Sequence, residues 1–406
     1  MKNILRNMKL ISLTGIFIML FLKFSLIPYF IGILVLCSLF TIDYKKSKKR
    51  GLIFVLLLSG LFLLNAISLF YSSNFQFGIK TVETQISLIL LPVLIYFDRD
   101  FYYTEQNKIK TLFIYAAFAS IIALIGIFIY NGKLTEILNY NRQYDIYSVL
   151  RYHKLSAGQH PSYISLGYLF AIILIWQGLK AISHKAYFAV KVVLIVILLS
   201  FIFFLNARAI FIAAFLVVIY FAIKYMTEHR LIYKIIIIAF LGFGFLFLVK
   251  NTRFKKVFLN LSNATNIEQV DLRFSLWRNA AIACKDKPIF GYGIGDSKEA
   301  IAKVHKQRNI TEAVDYNLNA HNQFLETLIQ TGLVGFILLC SLFVVALYQS
   351  IKKKQELLFL FLIITIVCFI FESMLQRLTG VVFLAFWYSF LTIIYLPNQL
   401  DETILR

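Results

Sequence analysis

Long apolar runs separated by short polar joints dominate the chain. They fall near residues 10–22, 25–42, 51–71, 83–97, 111–130, 162–179, 187–205, 209–225, 232–249, 324–348, 356–373 and 380–396. Most approach the roughly 20 residues needed to cross a hydrocarbon core about 30 Å thick. Inside lipid, a segment of this kind satisfies its own backbone only as a helix, and no ten-residue alternation suggests a barrel. The pattern predicts an all-α fold, a polytopic transmembrane helical bundle of about twelve spans. Residues 1–406 form a single membrane domain in this reading. A first outer loop covers 131–161, and a large extracytoplasmic loop, 250–320, lies between the ninth and tenth spans.

Composition strengthens this picture. The chain is 60% hydrophobic and 17% aromatic, with a mean hydropathy of +0.77, more apolar surface than a soluble domain can hide. The formal charge of +21 would suggest nucleic acid in a soluble protein, but here it sorts by side. Basic clusters such as Lys45-Lys46, Lys48-Lys49-Arg50 and Lys352-Lys353-Lys354 occupy alternate joints. The short joints of the other side carry only Lys23, Lys80, Arg208 and Arg377. By the positive-inside rule both termini are cytoplasmic and both long loops lie outside, with no nucleic-acid partner implied. No small-residue cleavage pattern follows the first run, which is read as a retained span. Its lysine, Lys9, is expected to snorkel to the surface, as is Lys23. Cys37, Cys284, Cys340 and Cys368 are scattered, with no C-x-x-C or Cys/His cluster, so neither a metal site nor a disulfide framework is indicated.

Four polar landmarks interrupt the apolar pattern. In "YNLNAHNQFLETLIQTGLVGFILLC", 316–340, His321 and Asn322 stand where a helix enters the apolar run, and Gly332 and Gly335 follow. Eleven residues are close to three helical turns, so a continuous helix puts His321 and Gly332 on one face about 16 Å apart. The glycines then offer a small-residue patch for a helix crossing. In "DLRFSLWRNAAIACKDKPIFGYGIGD", 271–296, residues 272–284 read as an amphipathic helix with Leu272, Leu276, Ala280 and Ala283 on one side, and Arg273 and Trp277 share a face at i and i+4. Pro288 ends it, and Gly291, Gly293 and Gly295 make a turn whose N–H groups could cradle phosphate or merely form a surface loop. Arg208 sits in a tight outer turn, where it either anchors a helix end or holds a buried anion. His160 precedes Pro161 at the start of another run, a proline position suited to a first helical turn.

The central spans almost lack carboxylates. Glu83 and Glu372 sit near span ends, whereas proton- or sodium-driven transporters usually carry acids within the membrane. The outer surface gathers positive charge instead, which suits an anionic, lipid-attached substrate.

These residues resemble the O-antigen ligase and O-antigen polymerase superfamily. The likeness rests on His321-Asn322 followed by Gly332-x-x-Gly335, on Arg273-x-x-x-Trp277, and on Pro288-x-x-Gly291-x-Gly293-x-Gly295. It covers about 160–396; the first 150 residues match only in hydropathy. The resemblance implies a cofactor-free, metal-independent, inverting glycosyltransferase at the periplasmic face of the bacterial inner membrane. Its donor would be a glycan on undecaprenyl diphosphate. The acceptor would be lipid A–core for a ligase, or a second carrier-linked glycan for a polymerase. Protein O-oligosaccharyltransferases share the histidine-bearing domain and often carry an added region that this chain is expected to lack. A lipid-linked glycan flippase is the alternative from a different class. In the resemblance His321 is the general base. Arg208, Arg273 and, less centrally, Arg278 bind the diphosphate. Asn322, His160 and Trp277 support the site, and Gly332 and Gly335 pack helices.

Overall fold

The structure is a computed structural model. It describes residues 2–22, 26–42, 51–131, 155–179, 185–226, 242, 268 and 271–396. The expected ninth span, 232–249, and most of the first outer loop lie outside the described residues. So does Lys23.

In chain order the helices are α1 (Lys2–Phe21), α2 (Ile27–Leu39), α3 (Leu52–Ile67), α4 (Phe75–Gln85), α5 (Ser87–Phe97), α6 (Arg99–Thr104), α7 (Gln106–Tyr130), α8 (Pro161–Leu179), α9 (Lys185–Leu205) and α10 (Arg208–Met226). Beyond the large loop's first half come α11 (Leu272–Ala283), α12 (Ser297–Gln307), α13 (Thr311–Asp315), α14 (Gln323–Lys352), α15 (Glu356–Phe371) and α16 (Leu378–Tyr395). Among the described residues eight helical stretches are long and apolar enough to cross a membrane, and Ile27–Leu39 and Glu356–Phe371 are shorter apolar helices. The run expected over 83–97 begins earlier: Phe75–Phe97 forms one such stretch, with a joint at Ile86. Lys80, expected in a loop, is therefore helical. The large loop holds α12 and α13 in addition to the expected amphipathic helix α11, whose Leu276, Ala280 and Ala283 are buried as their spacing predicts.

Helix α16 occupies the centre. It is apolar around nearly its whole circumference, the pattern of a fully enclosed helix, and is buried along most of its length, whereas Tyr187–Leu205 is largely uncovered. Trp387 collects the aromatic core. Phe170 lies 4.7 Å away, Phe113 4.9 Å and Phe386 5.2 Å, all edge-on, with Phe17 stacked at 5.7 Å. The rings come from α1, α7, α8 and α16, so one residue ties the N-terminal helices to the last one.

Lys9 does not snorkel. It is 2% exposed, and its ammonium lies 2.5 Å from the Asp98 carboxylate, which also accepts from Ser38 Oγ at 2.9 Å. An ammonium among apolar side chains persists when a carboxylate and further hydrogen bonds compensate it. Asp98, on the joint after α5, provides that compensation and clamps α1 and α2 to the α5–α6 corner.

Helix α14 is broken at Gly332, whose φ of 63° and ψ of −157° leave helical space. Residues 288–293 lie in the break. Leu333 N–H donates to Pro288 O (2.8 Å), Val334 N–H to Ile289 O (3.3 Å), Tyr292 N–H to Ile329 O (2.8 Å) and Gly293 N–H to Gln330 O (2.8 Å). The loop thus satisfies backbone groups that the interruption frees, which irregular backbone in such surroundings requires. This corrects the expectation of a continuous helical face from His321 to Gly332. At Gly332 the close approach comes from this loop and not from a crossing helix: a Cβ there would lie 2.2 Å from Ile289 O. Gly332→Ala is expected to cost about 1–3 kcal/mol through backbone strain alone, because these angles are essentially restricted to glycine. A thermal unfolding scan in detergent should show the fall in midpoint.

Candidate functional site

The loop before α14 is fixed by its own side chains. Asn322 extends its backbone (φ −157°) and its side chain accepts from Leu325 N–H, capping α14 in the manner that favours Asn at this position. Glu326, one turn further, reaches back to Ala320 N–H at 3.2 Å, and Asn319 Oδ1 accepts from His321 N–H at 3.1 Å. Held from both sides, His321 adopts a left-handed φ of 45°, a conformation uncommon for a residue with a Cβ. Strain of this kind persists where surrounding contacts over-determine it. Asn322 therefore positions His321 through the helix cap, and the ring's own side-chain partner is elsewhere.

That partner is Glu372, immediately after α15. His321 Nδ1 lies 3.3 Å from Glu372 Oε2. The same carboxylate receives Arg273 Nη2 at 2.9 Å and Ser162 Oγ at 3.1 Å, and His160 Nε2 stands 3.8 Å away. Four residues from three separate segments converge on one carboxyl group, 3% exposed in its side chain. Burial alone would raise its pKa. The His321 hydrogen bond and the neighbouring charges of His160, Arg273 and His321 outweigh burial and hold it down at about 2. An ionised carboxylate only accepts, so in a neutral His321 ring Nδ1 carries the proton and Nε2 keeps its lone pair. His160 moves the other way: burial lowers its pKa, Glu372 opposes this, and His321, Arg377 and Arg273 add to the lowering. His160 is thus held toward its neutral form.

The remaining arginines are placed differently. Arg208, at the start of α10, pairs with Asp271, and the same aspartate accepts from Arg273 N–H at 3.0 Å to cap α11. Asp271 therefore links Arg208 to the backbone of Arg273. Arg278 pairs instead with Glu268, which also binds Arg308 at 2.9 Å, and it does not join the Glu372 cluster. Trp277 Nε1 points at His321 O at a long 3.5 Å, and its ring packs 5.9 Å from Phe371, so it backs the histidine loop.

The glycine turn does not offer its N–H groups. Gly291 N–H goes to Lys287 O and Gly293 N–H to Gln330 O, while Ile294 and Gly295 N–H go to Ser68 and Ser72 hydroxyls at 3.0 and 3.1 Å. The phosphate-cradle reading of this turn is corrected accordingly. Its glycines are needed for close approach: a Cβ on Gly293 would stand 2.2 Å from Ser72 Oγ and one on Gly295 2.4 Å from Asn74 O.

A cavity of about 380 Å³ opens beside the cluster, lined among others by His160, His321, Glu372, Lys298, Arg377 and Tyr316. Two polar chains brace segments that line it, 376–377 and 316–319. Asn65 donates to Gln85 (2.6 Å), Gln85 to Leu375 O (3.1 Å), and Leu375 N–H to Gln323 (2.7 Å). This chain joins α3 and α4 to the 3₁₀ turn Met374–Gln376 and to the first turn of α14. On the other side, buried His305 sits 2.8 Å from the Asn279 amide and 3.2 Å from Leu318 O, pinning the segment that precedes His321. Burial lowers the pKa of His305, against the opposing Leu318 bond.

Sequence reasoning singled out His160, Arg273 and His321, which the structure gathers, and passed over Glu372, Arg377, Lys298 and Glu326. An acid directly after a long apolar run was the available signal for Glu372, since such residues are expensive near lipid and are commonly functional.

Residues 193–340 match the family described as O-antigen ligase. An 81-residue stretch is 37% identical to an uncharacterized protein of Haemophilus influenzae, covering 20% of each chain. A 132-residue stretch is 27% identical to the ComP-specific O-oligosaccharyltransferase of Acinetobacter baylyi, covering 30% of this chain and 23% of that one. The matched stretches thus span about a fifth to a quarter of the length of these relatives. The resemblance to the O-antigen ligase superfamily is borne out over residues 193–340, and the apolar helices indicate a multi-pass membrane protein.

Proposed function

We propose that this chain, which shares the O-antigen ligase domain over residues 193–340, transfers a glycan from undecaprenyl diphosphate to an acceptor hydroxyl at the outer face of the inner membrane. The observation that carries this reading is His321 held by Glu372 through Nδ1 with its ring on the wall of the cavity. His321 Nε2 accepts the acceptor's proton as general base. The acceptor oxygen then bonds to the anomeric carbon, the bond from that carbon to the diphosphate oxygen breaks, and its electron pair leaves with the diphosphate. Glu372 stabilises the imidazolium that forms. Arg208 and Arg273 meet the charge developing on the leaving group. Each guanidinium has five N–H donors, and the recorded carboxylate contacts use one nitrogen of each, so donors remain for an oxyanion clamp. Arg278, committed to Glu268, is the weaker candidate for that clamp.

A single, inverting displacement is supported by the state of the two carboxylates that line the cavity. A retaining mechanism needs a carboxylate free to attack the sugar, whereas Glu372 is committed to Arg273, Ser162 and His321 and Glu326 to Ala320 N–H and the Gln330 amide. Lipid A–core is the leading acceptor. A second carrier-linked glycan, making the protein a polymerase, is the alternative, and the likeness to an O-oligosaccharyltransferase favours testing a protein hydroxyl as well.

Purified protein in lipid nanodiscs, given carrier-linked glycan and acceptor without ATP, should form the joined product; a flippase would not. Arg273→Ala is expected to raise the donor KM several-fold more than the acceptor KM in that assay, and equal increases would count against the clamp. In cells lacking the protein, carrier-linked long chains with bare core would indicate a ligase, whereas core capped by a single unit would indicate a polymerase.

A further inference from the structure

Each arginine singled out in the sequence already holds a carboxylate: Arg208 with Asp271, Arg273 with Glu372 and Arg278 with Glu268. Two cations on the cavity wall do not. Arg377, exposed directly after the 3₁₀ turn, has no carboxylate partner among the described residues. Lys298, half-buried in α12, lies over the Phe77 ring at 5.6 Å and likewise has no carboxylate partner among them. Both line the cavity that His321 lines. The second carboxylate on that wall, Glu326, turns to Ala320 N–H at 3.2 Å and to the Gln330 amide at 3.4 Å. The cavity therefore presents two cations that no carboxylate among the described residues binds directly, in a concave setting that focuses the field.

The direction of the base identifies the substrate they face. A general base must come within about 2.6–3.2 Å of the hydroxyl it deprotonates, so the acceptor occupies the cavity in front of His321. Arg208 and Arg273 do not line that cavity, and each is paired with a carboxylate, Asp271 and Glu372. We propose that Arg377 and Lys298 form an anion subsite for the acceptor, and that this acceptor is a glycan bearing a phosphate group. The inference rests on the transferase reading for the identity of the occupant. A planar fork and a compact ammonium lining one cavity suit a doubly charged phosphate better than a neutral sugar.

Binding tests this independently of turnover. Full-length protein in nanodiscs is titrated calorimetrically with glucose 1-phosphate and with methyl glucoside. Glucose 1-phosphate is expected to bind wild type, and Arg377→Gln and Lys298→Gln should each weaken it about tenfold or more, as expected for losing a charge-assisted contact. Arg377→Lys should recover part of the loss. The subsite is overturned if glucose 1-phosphate fails to bind, if both glutamine variants bind normally, or if methyl glucoside binds as well as the phosphate. His321→Ala separates the two claims, because it should retain binding while losing transfer. If the binding pattern holds but wild type transfers no glycan, the transferase reading fails and the subsite stands.

Discussion

His321→Ala is expected to lower kcat by about 10²–10⁴-fold, the usual contribution of a positioned general base, with donor KM and membrane insertion near wild type. The size follows from the chemistry: without a base, the acceptor hydroxyl must lose its proton to water while it attacks. Insertion should survive because the loop's geometry rests on Asn319, Asn322 and Glu326, which hold backbone N–H groups and not the imidazole. Alanine also keeps the Trp277 contact, which goes to the His321 carbonyl. Single-turnover rates with saturating donor, beside an expression and folding control, provide the measurement. Unchanged turnover would remove His321 from the mechanism.

Glu372→Gln should have the broader effect. The amide cannot compensate Arg273, and its NH₂ can offer a donor to Nδ1, favouring the tautomer with the proton on Nε2, the nitrogen that must be free. A loss in kcat comparable to that of His321→Ala is expected, together with a fall in stability. Breaking a buried pair typically costs about 3–5 kcal/mol, and the low end applies here because the Arg273 side chain is 21% exposed. The pH dependence has a definite sign. Glu372 is held at about 2 against an ordinary 4.5, so the folded state favours the ionised form. Its contribution is complete above pH 4.5 and is lost as pH falls toward 2. Melting midpoints should therefore fall more steeply across that window in wild type than in Glu372→Gln, and parallel curves would contradict the assignment.

The bundle is legible in the sequence because lipid imposes a crude rule, about 20 apolar residues per crossing, that needs no knowledge of partners. Convergence is harder to read. Glu372 lies 51 residues beyond His321 and 210 beyond Ser162, and no local period links them. His160, Arg273 and His321 are visible as polar breaks at the ends of apolar runs, but their shared partner emerges only when α8, α11, α14 and α15 pack. The Gly332 expectation failed for a specific reason: counting turns assumes helical angles throughout, and the residue type alone does not say whether a glycine exploits its freedom. Lys9 misled because its partner, Asp98, lies on a later joint that looked like a surface loop. Arg377 and Lys298 resemble the single basic residues that mark sidedness, and only their place on the cavity wall distinguishes them.

The most direct test of the central claim, that His321 acts by taking a proton, is chemical rescue. Transfer by the purified His321→Ala protein is measured in nanodiscs with rising concentrations of free imidazole. Turnover should recover in proportion to the neutral imidazole present, with the donor KM unchanged. If imidazole restores nothing while the variant still binds donor normally, His321 is not the base.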